Sequence, residues 1–116
     1  MINKRALGFE KEAVASAYLT EHGYQVIDKN FYSRYGEIDL ICKKDGCLIF
    51  VEVKYRKDKD FGFPSEAITL RKMQSMRKTA NYYLYKNKQT EETPCRFDVV
   101  SILGEEISII ENVMEG

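Results

Sequence analysis

Gly36-Glu37-Ile38-Asp39-Leu40-Ile41-Cys42-Lys43-Lys44 and Cys47-Leu48-Ile49-Phe50-Val51-Glu52-Val53-Lys54-Tyr55-Arg56 are two runs rich in apolar and β-branched residues, separated only by Asp45-Gly46. Asp-Gly favours the two-residue type I′ turn, whose central positions both need positive φ, so the stretch predicts a β-hairpin. In the register this turn sets, Lys44 faces Cys47, Asp39 faces Glu52 and Glu37 faces Lys54. Directly opposed residues share a face, with Cβ atoms about 4.5–5.5 Å apart. The charged groups therefore converge on a face that also carries Ile41, Leu48 and Phe50. On the other face Ile38 opposes Val53, Leu40 opposes Val51 and Cys42 opposes Ile49. Apolar side chains on both faces are the pattern of a central strand pair covered on both sides.

Two carboxylates brought together among apolar residues repel, and burial disfavours both charges further. A hard divalent cation removes the conflict, because Mg²⁺ takes oxygen ligands, commonly one or two carboxylates. This reading makes Asp39 and Glu52 ligands of Mg²⁺ or Mn²⁺, with the Val53 carbonyl as a third oxygen. Lys54, on the same face as Glu52, would orient or deprotonate an attacking water, and Glu37 would support the cluster. The competing reading is a pair of cross-strand salt bridges on a solvated face. The apolar neighbours on that face argue against it.

The chain of 116 residues is the length of a single domain, 1–116. Its 44% hydrophobic and 31% charged residues are those of a globular protein. No apolar run approaches the roughly 20 residues needed to span a bilayer, and the first residues lack a signal-like apolar stretch, so a cytoplasmic location is expected and no membrane partner. Three cysteines without C-x-x-C spacing suggest neither a disulfide framework nor a zinc site, and free, mostly buried thiols are expected. The net charge of zero conceals an asymmetry. Residues 54–90 hold ten basic and three acidic side chains, whereas residues 91–116 hold one and seven. A basic segment directly after the carboxylates suits a phosphate-backbone ligand, although a solvated helix face would look the same.

Before the hairpin, residues 9–22 predict a helix ended by Gly23, with Phe9, Ala13, Val14 and Ala17 as its apolar stripe. Glu10 and Glu12 lie near its start, and periodicity does not decide which faces the site. Residues 24–28 predict a short strand, and residues 30–35 a connection. In that connection Phe31, Tyr32 and Tyr35 surround Arg34, residue types that stack on unpaired bases but more commonly pack. After the hairpin come a charged loop at 57–63, a short helix from Glu66, and a long helix at 70–88 capped by Thr69, with Met73, Met76, Ala80 and Leu84 inward. Strands at 95–103 and 106–111 complete the chain. The helical crossover makes the strand at 95–103 parallel to that at 47–55, giving a mixed sheet ordered 1-2-3-4-5.

Asp39, twelve intervening residues and Glu52-Val53-Lys54 resemble the core of the restriction-endonuclease-like, or PD-(D/E)xK, nucleases, with Ile38 where that superfamily often has Pro. The match is closer to the YraN-like family of small bacterial proteins. It rests on Gly36 to Ile41, Phe50 to Arg56, Phe61-Gly62-Phe63-Pro64, and the opening Leu7-Gly8, Glu12 and Tyr18-Leu19, where Lys11 replaces a usual Gly. The resemblance implies a restriction-endonuclease-like α/β fold of order αβββαββ, with a central mixed five-stranded sheet flanked by helices. It brings Glu12 to the metal as a further carboxylate, although an acid near a helix start is also favourable by itself. Likeness to Holliday junction resolvases implies a metal-dependent endonuclease acting on DNA, with branched structures as one substrate class. Arg56, Arg71, Lys72, Arg77 and Lys78 would clamp the nucleic-acid backbone. The alternatives are a nucleic-acid-binding module without turnover and a protein-interaction domain using the acidic C-terminal third. The sequence leaves oligomeric state open, a homodimer included.

Overall fold

A computed structural model of the chain describes residues 4–57, 69–90 and 92–114, with side chains placed from residue 7 onward. Helix α1 (Lys4–Glu21) leads into strands β1 (Gln25–Ser33), β2 (Gly36–Lys44) and β3 (Cys47–Arg56). Helix α2 (Leu70–Lys86) then precedes β4 (Cys95–Leu103) and β5 (Glu106–Ile110). The five strands form one sheet ordered β1-β2-β3-β4-β5, in which only β3 and β4 are parallel. This is the αβββαββ architecture expected of a restriction-endonuclease-like fold.

The central turn forms as its sequence requires. Asp45 has φ 52° and Gly46 φ 77°, the positive pair of a type I′ turn, and the ladder runs from Lys44–Cys47 to Leu40–Val51. Each helix covers one face. Ala15 and Leu19 of α1 pack with Leu40, Cys42, Ile49, Val51, Val100 and Ile102. Ala80, Tyr83 and Leu84 of α2 pack with Ile38, Ile41, Leu48 and Phe50. Thr69 caps α2, its side chain accepting from Lys72 N at 3.1 Å.

Several expectations change. Strand β1 continues to Ser33 instead of ending at Asp28, and residues 31–33 pair with β2. Its sequence hides this because it is a sheet edge with mostly exposed residues, a register shift between Val26 and Asp28, and Asn30 at φ 51°. In α1 the expected stripe faces outward: Phe9 is 45% exposed and Val14 37%. The inward face instead carries half-buried Lys11 and Glu12 beside buried Ala15 and Leu19. A polar pair on the covered face cannot be recognised by hydrophobic periodicity. Of the free cysteines, Cys42 is buried, Cys47 half-buried and Cys95 exposed. The charged loop from residue 58, the segment 61–64 and the helix expected from Glu66 lie outside the described residues.

Turn residues between β1 and β2 tie the sheet to α2. Ser33 Oγ and Thr79 Oγ1 lie 2.9 Å apart, and Ser75 Oγ donates to the Tyr35 carbonyl. Gly36 has φ 146° and approaches Ser75 so closely that a Cβ there would collide with the Ser75 hydroxyl. Glycine is required for both reasons. On the opposite side of the sheet, buried Asp98 accepts from Tyr24 OH (2.8 Å), Arg96 Nε (3.1 Å) and Asn112 N (2.9 Å), joining β4 to the chain after α1 and to the C-terminal segment. Burial and the Asp98 hydrogen bond hold the Tyr24 phenol well above its usual range. This hub is structural.

Candidate metal centre

Strand β2 parts from β3 at Asp39. The ladder stops at Leu40–Val51, and Asp39 is not the ladder partner of Glu52. Instead, its carboxylate Oδ2 accepts from Val53 N at 2.8 Å, replacing the missing backbone acceptor. On the β1 side the pairing passes from Lys29–Leu40 to Phe31–Ile38, skipping Asn30 and Asp39. Strict alternation would place Ile38 with Leu40, yet Ile38 belongs to the cluster under α2 while Leu40 lies under α1. The strand changes face across Asp39. The expected oppositions of Ile38 to Val53 and of Glu37 to Lys54 are both lost because the ladder to β3 ends at Leu40–Val51, while on the other side Glu37 pairs with Tyr32. An irregular backbone at a strand fork is a common way to re-aim a side chain.

Glu12 of α1, Glu37 and Asp39 each present one carboxylate oxygen, and the three oxygens lie within 4.8 Å of one another. Asp39 and Glu12 line a cavity of about 280 Å³ together with Glu52, Val53, Lys11 and Tyr55. Glu12 and Glu37 also border a second recess with Asn30 and Tyr32. Glu52 stands slightly apart. It is 4% exposed, and its Oε1 lies 3.4 Å from Lys54 Nζ and 3.5 Å from Lys72 Nζ of α2. The expected Asp39–Glu52 pair is thus a wider carboxylate set, with Glu37 inside it and Glu52 held by two lysines.

Electrostatics show the strain of this gathering. Burial pushes the Asp39 carboxyl up to about 8, Glu52, Glu12 and Glu37 add to the rise, and the Val53 N–H opposes it. Burial likewise raises the Glu12 carboxyl, as do Glu37 and Glu52, against hydrogen bonding from Asn30 and Asp39. Three buried oxygens, Glu12 Oε1, Glu52 Oε2 and Asn30 Oδ1, have no hydrogen-bond partner among the described residues. All three are acceptors, so no further acceptor would satisfy them. A hard cation fits such a donor set, because it takes carboxylate and amide oxygens as ligands.

The other expected site residues are distributed around this centre. Val53 lines the cavity and contributes its N–H to Asp39. Arg56 donates to the carbonyl of its neighbour Tyr55 at 3.1 Å. Arg71 and Lys78 lie exposed on α2, and Arg77 donates to the Met114 carbonyl at 3.0 Å. Lys72 turns toward Glu52 instead of solvent. Sequence reading missed Asn30, whose signal was present: Asn is one of the few non-glycine residues that readily holds positive φ. It also missed Lys11, whose ammonium lies 4.3 Å from the centre of the Tyr55 ring.

Fold and site together define a small α/β protein of restriction-endonuclease-like architecture with a carboxylate and lysine cluster at the fork of its central strands. The family profile described as "Uncharacterised protein family UPF0102" matches residues 11–102. A UPF0102 protein of Lachnoclostridium phytofermentans is 49% identical over 114 residues, covering 98% of this chain and 97% of the relative. One of Fusobacterium nucleatum is 38% identical, with 99% and 96% covered, and one of Photobacterium profundum 45%, with 89% and 83% covered. The chain belongs to the UPF0102, or YraN-like, family.

Proposed function

We propose that this protein is a metal-dependent endonuclease that hydrolyses phosphodiester bonds in DNA, with branched or flapped DNA as its substrate class. The observation that carries the reading is the carboxylate cluster of Glu12, Glu37 and Asp39 beside Glu52, in which Glu12 Oε1 and Glu52 Oε2 are buried with no hydrogen-bond donor among the described residues. Such a cluster costs stability unless a cation joins it. A bound Mg²⁺ or Mn²⁺ supplies Lewis-acid stabilisation of charge on the phosphate and a lowered pKa for water. Glu12, Glu37 and Asp39 would hold it, and Glu52 Oε2 would offer a further oxygen.

The chain's own groups supply the remaining chemistry. The Val53 N–H fixes the Asp39 carboxylate. Lys54 and Lys72 share Glu52 Oε1, so either ammonium can turn to an incoming phosphate while the other still neutralises Glu52. Positive charge placed where negative charge develops on the phosphate stabilises the transition state. Lys54 also positions the attacking water. Exposed Arg71 and Lys78 on α2 contact the nucleic-acid backbone.

A second reading is a nucleic-acid-binding module without turnover. The two lysines on Glu52 favour it, since they balance part of the site's charge without a metal. Thermal denaturation during Mg²⁺ titration, followed by cleavage of linear, flapped and four-way DNA, separates the two. The nuclease reading expects metal-dependent stabilisation and cleavage, both lost on chelation. The module expects DNA binding and intact substrate.

A further inference from the structure

Four of the chain's eight tyrosines are exposed: Tyr32 (59%), Tyr35 (40%), Tyr82 (42%) and Tyr85 (76%). They are not scattered. Tyr35 and Tyr82 form a shared wall between two adjoining recesses of about 410 and 420 Å³. Tyr32 and Arg34 line the first, and Lys78, Asn81 and Tyr85 line the second. Cations accompany the rings. The Arg34 guanidinium lies 5.0 Å from the Tyr35 ring centre and Lys78 Nζ 5.5 Å from the same ring.

Tyr82 meets Phe31 with ring centres 6.0 Å apart, yet it and the other three rings keep 40% or more of their surface exposed. Tyr83, between the exposed Tyr82 and Leu84, is buried against Phe31 and Phe50 and supplies the aromatic packing that α2 needs. The hydrogen bonds from Ser75 to the Tyr35 carbonyl and between Ser33 and Thr79 hold the turn against α2. The rings are therefore presented on a fixed frame. Tyr32 also lines the recess containing Glu12, Asn30 and Glu37, and pairs with Glu37 across β1 and β2. Tyr32 thus lines both the first tyrosine recess and the recess of Glu12 and Glu37, and the two adjoin at this residue of the edge strand.

From this geometry we infer that the tyrosine recesses bind unpaired nucleotides, a base seated against Tyr82 on each side, with Arg34 and Lys78 meeting the phosphates. Bases present a π-face to aromatic rings only where they are unstacked, so the surface selects single-stranded nucleic acid over blunt duplex. Tyr32 then leads the strand toward the carboxylates. This extends the proposed nuclease reading by naming the substrate feature the site selects: a single-stranded segment adjoining the bond to be cut.

The test measures binding of a labelled twenty-residue oligothymidylate and a blunt duplex of equal length in EDTA at fixed salt. The parent should bind the single strand at least tenfold more tightly. Tyr85→Ala and Tyr82→Ala should each weaken single-strand binding by about five- to a hundredfold, the range for losing one base–ring stack, and change duplex binding little. Tyr82→Phe should restore it. Tyr85 is so exposed that its removal leaves the fold intact, which circular dichroism checks. Equal affinity for single strand and duplex, or single-strand binding unchanged in both alanine variants, would overturn the inference. Cleavage by the parent in Mg²⁺ is scored separately. Tyrosine-dependent binding without cleavage would remove the nuclease reading and keep this one, and cleavage without tyrosine dependence would do the reverse.

Discussion

In the proposed nuclease, stability and activity pull in opposite directions at Asp39. Its carboxyl is raised from 3.8 to about 8 in the folded protein. Between those values the folded state binds the proton and the unfolded state has released it, so this group's stabilisation is full below about pH 4 and is lost as pH rises to 8. Each pKa unit is worth about 1.4 kcal/mol, which makes the ionised carboxylate a cost of a few kcal/mol in the metal-free protein at pH 8. Asp39→Asn should therefore raise the metal-free melting temperature at pH 8, flatten its pH dependence and abolish stabilisation by Mg²⁺. Equal melting curves for parent and variant at pH 8 would contradict the assigned burial cost. Lys54→Ala should behave differently, losing turnover by tenfold or more while Mg²⁺ still raises the melting temperature. The gathering of Asp39, Glu52 and Lys54 was legible because carboxylates amid apolar strands are costly and so draw attention. Glu37 was legible as a supporting group, but its oxygen lying as close to Glu12 and Asp39 as theirs to each other was not, since that depends on the irregular backbone at Asn30 and Asp39.

At the scale of elements, the site depends on how β2 and α2 are fixed against one another. Gly36 begins β2 at φ 146° with Ser75 against its α-carbon. Gly36→Ala should cost about 1–3 kcal/mol through backbone strain alone, with the collision against Ser75 added. Chemical denaturation should show the loss, and Ser75→Ala in the same chain should recover only the collision. Full recovery would mean that the backbone tolerates alanine there. The hairpin, its register to Leu40–Val51, the α2 cap and the crossover all followed from local sequence, because Asp-Gly turns, β-branched runs and Thr caps act through neighbouring residues. The end of β1 and the inward face of α1 did not. Both are decided by tertiary contacts: β1 by pairing with β2 despite its polar surface, α1 by placing Lys11 over Tyr55 and Glu12 at the carboxylate cluster.

Over the whole molecule, net charge is zero while the segment from residue 54 to 90 is strongly basic and the C-terminal third acidic. No helix among the described residues is long and apolar enough to cross a membrane. If duplex DNA lies along α2 and neutralises about 4–6 phosphates, log K should fall against log salt with a slope of roughly −3.6 to −5.4. Arg71→Glu with Lys78→Glu should reduce the slope and weaken binding to every sequence. Lys72 is a poor choice for that experiment because it is engaged with Glu52. The sheet order was readable from the sequence because a helical crossover between β3 and β4 fixes their direction. The cavity was not, since its walls come from α1, β2 and β3, distant in sequence. The account stands most directly on cleavage of flapped DNA by the parent and by Asp39→Asn, each in Mg²⁺ and in EDTA. It predicts cleavage by the parent in Mg²⁺ alone and at least a hundredfold loss in the variant with the fold retained. Cleavage that persists in EDTA or in Asp39→Asn, or no cleavage by the parent in Mg²⁺ or Mn²⁺, would contradict it.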